Sequence, residues 1–354
     1  MGVHRLGRII AWGRRGLARV RQPRAWSAPT PVPILDRPRL IERVATSPPG
    51  AVVLMVAPAG SGKSTFLGQL RREIERCVLV ELVDAHNDVM AFAAELSQAL
   101  RASSATTRLD TAGDAPPFVE AVIDTLNQAA ATLTVMFDNA HRVSDARVGQ
   151  LISAIIRYSV NARFVISSRQ TPPFGIAQMK TRRRVIEIDD RDLHLDIDQS
   201  IRLVRDIAPG VPAAAVRSIV TSWRGWPAAL VIAGHTLRRE GNPAEAAVGA
   251  IIAAIHEYVC AQVLSGLPED LCQFVLELAV LGRFEADRLE AITSRIGAAD
   301  LLADVVDRRL FVEADPAVRG GLRVMEPFAA AARRAATRPS GHRRHELMAR
   351  AAQR

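Results

Sequence analysis

Aromatic residues make up only 5% of the 354 positions. That scarcity excludes a stacking platform for single-stranded nucleic acid, which needs a row of exposed rings. Cysteine is equally sparse. Cys77, Cys260 and Cys272 are odd in number and lack metal-ligand spacing, so neither a disulfide framework nor a zinc site is expected, and a reducing cytoplasm fits them. No uninterrupted run of 18 apolar residues occurs, so no membrane span is expected. Lysine is almost missing: of 46 basic residues only Lys63 and Lys180 are lysines. A chain that writes arginine nearly everywhere uses lysine where a compact ammonium is wanted. Acid is missing from one place in particular. Residues 1–28 carry seven arginines and no carboxylate, and residues 333–354 carry seven arginines against Glu346. The overall charge of +9 therefore sits at the two ends, and residues 29–332 are left at −4. The middle of the chain has no electrostatic signature of a DNA-binding surface.

What is present is an ordinary globular composition, 49% apolar and 23% charged, at a length that makes two or three domains. Residues 1–30 read as a basic, disordered arm, poor as a secretion signal because arginine interrupts its apolar stretch. Five prolines between Pro23 and Pro38 read as an extended linker. From there to about 192, apolar runs alternate with amphipathic helical patterns. Strands are expected at Ala51–Ala57, Val78–Val83, Leu133–Phe137, Ala162–Ser167 and Val185–Ile188. This is the pattern of an α/β parallel sheet with right-handed crossovers. Residues 193–266 read as a helical domain, with helices near 197–208, 212–223, 227–239 and 245–265. Residues 267–335 pair helices with a hairpin, Leu310–Val312 with Leu322–Val324, as a winged-helix domain does, and 336–354 read as a basic C-terminal helix or the start of a further helical region.

The strongest motif is Ala57-Pro-Ala-Gly-Ser-Gly-Lys-Ser64, between a buried strand and a helix. That context is what a P-loop requires. Ala59, Gly60, Ser61, Gly62, Lys63, Ser64 and Thr65 are the expected nucleotide-binding residues. The glycines let backbone N–H groups face phosphate oxygens, the helix start offers its positive dipole end, Lys63 reaches the β- and γ-phosphates, and Ser64 can ligate Mg²⁺. Ala57 stands where the strict pattern has its first glycine. Asp138, closing an apolar strand at the edge where α/β sheets bind ligands, is the expected second Mg²⁺-side group. Arg169, after another strand, is expected to face the γ-phosphate, against the plain reading of a surface arginine. Asn139, not a second acid, follows Asp138. An amide orients a water but does not take its proton near neutral pH, so slow hydrolysis is expected unless Glu81 or Asp84 on the neighbouring strand supplies the base.

The strings Pro58–Thr65, Asp84 with Asn87 and Asp88, Phe137-Asp-Asn-Ala-His141, Ile166-Ser-Ser-Arg-Gln-Thr-Pro-Pro173 and Gly225-Trp-Pro227 occur in this order. Together they resemble the ATPase module of MalT-type, LuxR-related transcriptional activators, in the STAND class of P-loop NTPases. The resemblance runs from about Pro33 to Arg334. It implies an ATP/ADP switch with Mg²⁺, in which Arg37 of the lead-in segment and Pro227 lie on the base side. For Pro227 the competing reading is a plain helix start. It also implies transcriptional regulation through self-association or a protein partner, with DNA contacted only by a missing or separate domain. The alternatives are an AAA-like ATPase that turns over quickly and a nucleotide-binding scaffold. The family's second carboxylate is replaced by Asn139, and its histidine-containing stretch after the hairpin reads Met325-Glu-Pro-Phe328.

Overall fold

The computed structural model describes residues 33–103, 115–182, 185–240, 245–315, 317, 320–336 and 341–352. The basic arm at 1–30 lies outside them. The chain divides into two compact units, one spanning 35–194 and one built on 195–354.

In the first unit, β1 (Val52–Val56), β2 (Cys77–Glu81), β3 (Leu133–Asp138), β4 (Ala162–Ser168) and β5 (Val185–Ile188) form one sheet in the order β2-β3-β4-β1-β5. Every neighbouring pair is parallel. All five residues of β1 and all six of β3 are buried, as continuous apolar runs in a doubly covered sheet should be. Alternation sorts the side chains between two faces. Val52, Leu54, Val78, Val80, Val135, Phe137, Phe164 and Ile166 enter one core, under helices Val89–Ala102, Ala115–Gln128 and Ala146–Tyr158. Val53, Met55, Ala57, Met136 and Val165 enter the other, with Phe66, Leu67 and Leu70 of helix Lys63–Glu73. Helix Pro38–Ala45 adds Val44 there, with Pro38 in the first turn, where the missing N–H costs nothing.

Asp88 caps helix Val89–Ala102 by accepting from Ala91 N at 2.9 Å, but Asn87 does not cap it. Asn87 instead accepts from the backbone N–H groups of Ser144 and Asp145, at 2.7 and 2.9 Å, and donates to Arg142 O at 2.9 Å. It ties the loop after β2 to the loop after β3.

The second unit is helical: Ile197–Ile207, Ala213–Trp223, Pro227–Glu240, Glu245–Gln262, Glu269–Leu281, Leu289–Thr293, Ala298–Asp307, Glu326–Ala336 and Gly341–Ala352. Its small sheet has three strands, not the two of the expected hairpin. β7 (Val312–Ala314) and β8 (Gly321–Val324) pair antiparallel, and β6 (Arg283–Glu285) joins the other side of β8. Trp226 is buried at the centre, edge-on to Tyr258 and to Phe311, which stacks on Phe328 at 4.6 Å. One correction concerns hydropathy. Ala247–Gly266 is long and apolar enough by length and composition to cross a membrane, although no uninterrupted apolar run exists. Ile251, Ile255 and Val259 of this stretch are buried, and its helix packs on Pro227–Glu240 and Glu326–Ala336.

Candidate nucleotide site

The turn from β1 into helix Lys63–Glu73 is made by two left-handed glycines, Gly60 at φ 76° and Gly62 at φ 90°. A side chain at either position would be strained. Ser61 Oγ donates to Pro58 O at 2.9 Å and is fully buried, so the turn is braced from inside, and Ala59 is buried beside it. Gly62 is the N-cap, and no side chain caps the helix. The first-turn N–H groups have no intrahelical acceptor and point toward the loop. Ser64 and Thr65 are exposed at this end.

Lys63 is buried, and its Nζ donates to Ala57 O at 2.7 Å and Pro58 O at 2.8 Å, with Ser61 Oγ at 3.4 Å. The ammonium is folded onto carbonyls of its own loop. Burial, and then the charge of Arg169, lower its pKa from 10.5 to about 7, against a smaller opposing pull from Asp138.

Asp138 lies at the end of β3, on the same face as Met136. Its Oδ1 accepts from Ser167 Oγ at 2.7 Å and from Asn139 N at 2.8 Å, and Oδ2 takes neither bond. Ser167 shares that face on β4 by the alternation that sends Val165 to the same core. Asn139 is left-handed at φ 58°, a conformation asparagine tolerates better than most residues, and it opens the 3₁₀ turn Ala140–Arg142. Arg142 is tied to Asp84 by contacts of 3.1 Å to both carboxylate oxygens. His141, in that turn, has its Nδ1 buried without a hydrogen-bond partner. Burial first, and then Arg169, Lys63 and Arg142, lower its pKa to about 4. Lys63, Asp138, His141 and Arg169 thus act on one another electrostatically at the carboxyl edge of the sheet.

Arg37 and Pro227 belong to different units. Arg37 donates to the carbonyls of Leu193 at 2.5 Å and of Asp192 and His194 at 3.4 Å. Pro227 belongs to the second unit, where it starts helix Pro227–Glu240 directly after the buried Trp226. His141 and Ser167, to which sequence reasoning gave no role, are brought into this cluster, Ser167 by its bond to Asp138 and His141 by the charges of Arg169 and Lys63. The available signal was position: Ser167 is in phase with Val165, and His141 falls three residues after the strand-end acid.

The donor set suits a hard cation shared with phosphate. Such a site supplies one or two protein oxygens and leaves the remaining positions to phosphate and water. Ser64 and Asp138 are of that kind, and no cluster of three metal-ligating side chains exists among the described residues.

Comparisons with known proteins agree with this architecture. Residues 260–344 match the MalT winged helix domain. The serine/threonine-protein kinase PknK of Mycobacterium tuberculosis is 27% identical over 335 residues, 90% of this chain and 30% of its own length. The HTH-type transcriptional regulator MalT of Vibrio parahaemolyticus is 24% identical over 290 residues, 78% of this chain and 32% of its own. The chain thus spans about a third of the length of these relatives, and the kinase activity in the first name is said of that protein. Among solved structures, the Walker-type ATPase PABY2304 of Pyrococcus abyssi superposes with a TM-score of 0.63 at 15% identity, covering 83% of this chain and 93% of that one. The chain thus carries a region matching the MalT winged helix domain at 260–344, and its fold is that of a Walker-type ATPase.

Proposed function

We propose that the chain is an ATP-binding signalling switch of the STAND kind, serving transcriptional regulation through self-association or a protein partner, with slow turnover. The observation that carries the reading is the Lys63 ammonium held on the loop carbonyls Ala57 O and Pro58 O, beside first-turn N–H groups with no intrahelical acceptor. A phosphate chain offers that buried cation better partners than neutral carbonyls do. Gly60, Ser61, Gly62, Lys63, Ser64 and Thr65 would hold the phosphates. Ser64 and Asp138 would hold Mg²⁺, which neutralises phosphate charge when bound. Arg169 would face the γ-phosphate, and Arg37 and Pro227 remain base-side candidates by resemblance. Asn139 has no proton-accepting form near neutral pH, so turnover is slow unless a carboxylate of the neighbouring strand takes the proton.

The test is nucleotide content and affinity. Purified protein, denatured, should release ATP or ADP. Lys63→Ala should lose nucleotide binding while keeping the wild-type circular dichroism spectrum. Unchanged affinity in that variant would overturn the reading.

A further inference from the structure

We infer that Glu81 takes the proton from the attacking water when this site hydrolyses ATP, an inference that rests on the nucleotide reading above. Register and alternation place it. Glu81 ends β2 and is paired in register with Asp138, which ends β3. Adjacent strands lie about 4.8 Å apart. Cys77 and Leu79 pack with the core that holds Met136, Val165 and Ala57, while Val78 and Val80 enter the opposite one. Glu81, in phase with Cys77 and Leu79, therefore projects on the face that carries Asp138, Ser167 and the P-loop helix. It is exposed at the carboxyl edge of the sheet, the edge where α/β sheets bind ligands.

The other candidates are committed or unsuited. Asp138 accepts from Ser167 and Asn139 N. Asp84 is held by Arg142. His141 sits among Arg169, Lys63 and Arg142, and those cations with burial make it a poor proton acceptor. Asn139 has no basic form. The Glu81 carboxylate has neither a hydrogen bond nor an ion pair among the described residues. In the step, the water oxygen bonds to the γ-phosphorus as the bond from that phosphorus to the β,γ-bridging oxygen breaks. The electron pair of the broken bond leaves on the β-phosphate of ADP. The water proton passes to the Glu81 carboxylate and then to solvent. Asn139, one residue past Asp138, would orient the water.

The experiment uses the full chain, with ATP affinity by equilibrium binding and single-turnover conversion of labelled ATP read separately. Glu81→Gln should keep ATP affinity within about twofold and slow conversion by roughly 10²–10⁴. Glu81→Asp should retain part of the rate, Asp84→Asn should change it little, and Asn139→Asp in the Glu81→Gln background should restore it by supplying a new acceptor. Conversion by Glu81→Gln at the wild-type rate, or no conversion by a wild type that binds ATP, overturns the assignment and leaves the nucleotide reading standing. A wild type that binds no ATP overturns both.

Discussion

Lys63 is the residue on which the site turns, and its burial gives it a measurable signature. Without nucleotide its pKa lies at about 7, well below its ordinary 10.5. Bound phosphate would hold the ammonium charged. Above pH 7 binding must then take up a proton, and ATP affinity should fall by about tenfold per pH unit as pH rises to 9. Affinity measured across that range, with calorimetry in two buffers of different ionisation enthalpy, checks the proton count. The nucleotide-free protein should respond with the opposite sign. Between about 7 and 10.5 the unfolded chain holds more protons at this residue, so its contribution to stability rises with pH. Asn139 makes the second prediction at this scale. Its left-handed backbone is one that aspartate also tolerates, so Asn139→Asp should leave the turn intact and raise single-turnover hydrolysis. An unchanged rate would mean that the absent acid does not limit turnover.

At the scale of elements, Gly225-Trp-Pro227 shows how a motif can be legible and still mean more than one thing. It supports the family resemblance, and in the fold it is a joint. Gly225 has φ +77°, and a Cβ there would lie 2.1 Å from Leu195 O, a backbone atom that cannot swing aside. Gly225 O also accepts from Leu195 N at 2.9 Å. Gly225→Ala should therefore lower the stability of the second unit by about 3 kcal/mol or more. Gly210→Ala, also at positive φ but with open space around it, should cost about 1 kcal/mol. Thermal unfolding of the two variants compares them, and equal losses would remove the Leu195 clash as the cause. The five parallel strands were readable because a strand buried on both faces is a continuous apolar run, as Val52–Val56 is. β6 was not, because three residues with one buried side chain make no periodic pattern. In the site, the P-loop could be read from spacing alone. Glu81 could be named as a strand-end acid, but its pairing opposite Asp138, like the place of Ser167, needed the strand register, which a single sequence does not state, and His141 needed the cations that surround it in space.

For the molecule as a whole, charge pairing decides what the winged helix can do. Arginines of this region are matched to acids: Arg283 of β6 to Asp315 at 3.3 Å, Arg323 of β8 to Glu313 at 2.8 Å and Arg295 to Glu277 at 2.8 Å. A cation already facing a carboxylate gains little from a phosphate. The chain should accordingly bind duplex DNA without sequence preference, through the arginine-rich ends at 1–28 and 333–354, and lose most of that affinity between about 50 and 200 mM salt. Fluorescence anisotropy at both salts, with matched and scrambled duplexes, measures this. Salt-resistant, sequence-selective binding would contradict it.

The bonds of Arg37 and Gln69 have a consequence for how the nucleotide unit could be rewired. Gln69, buried on the P-loop helix, holds Leu35 O at 2.6 Å, while the Arg37 guanidinium reaches the carbonyls of 192–194. The chain enters and leaves residues 35–194 at one clasp. The two ends of the unit are thus neighbours in space. A circular permutant with the clasp sealed by a short linker and new ends cut elsewhere keeps the same strand neighbours. Neighbouring ends of this kind are what let domains be inserted into, or excised from, longer chains.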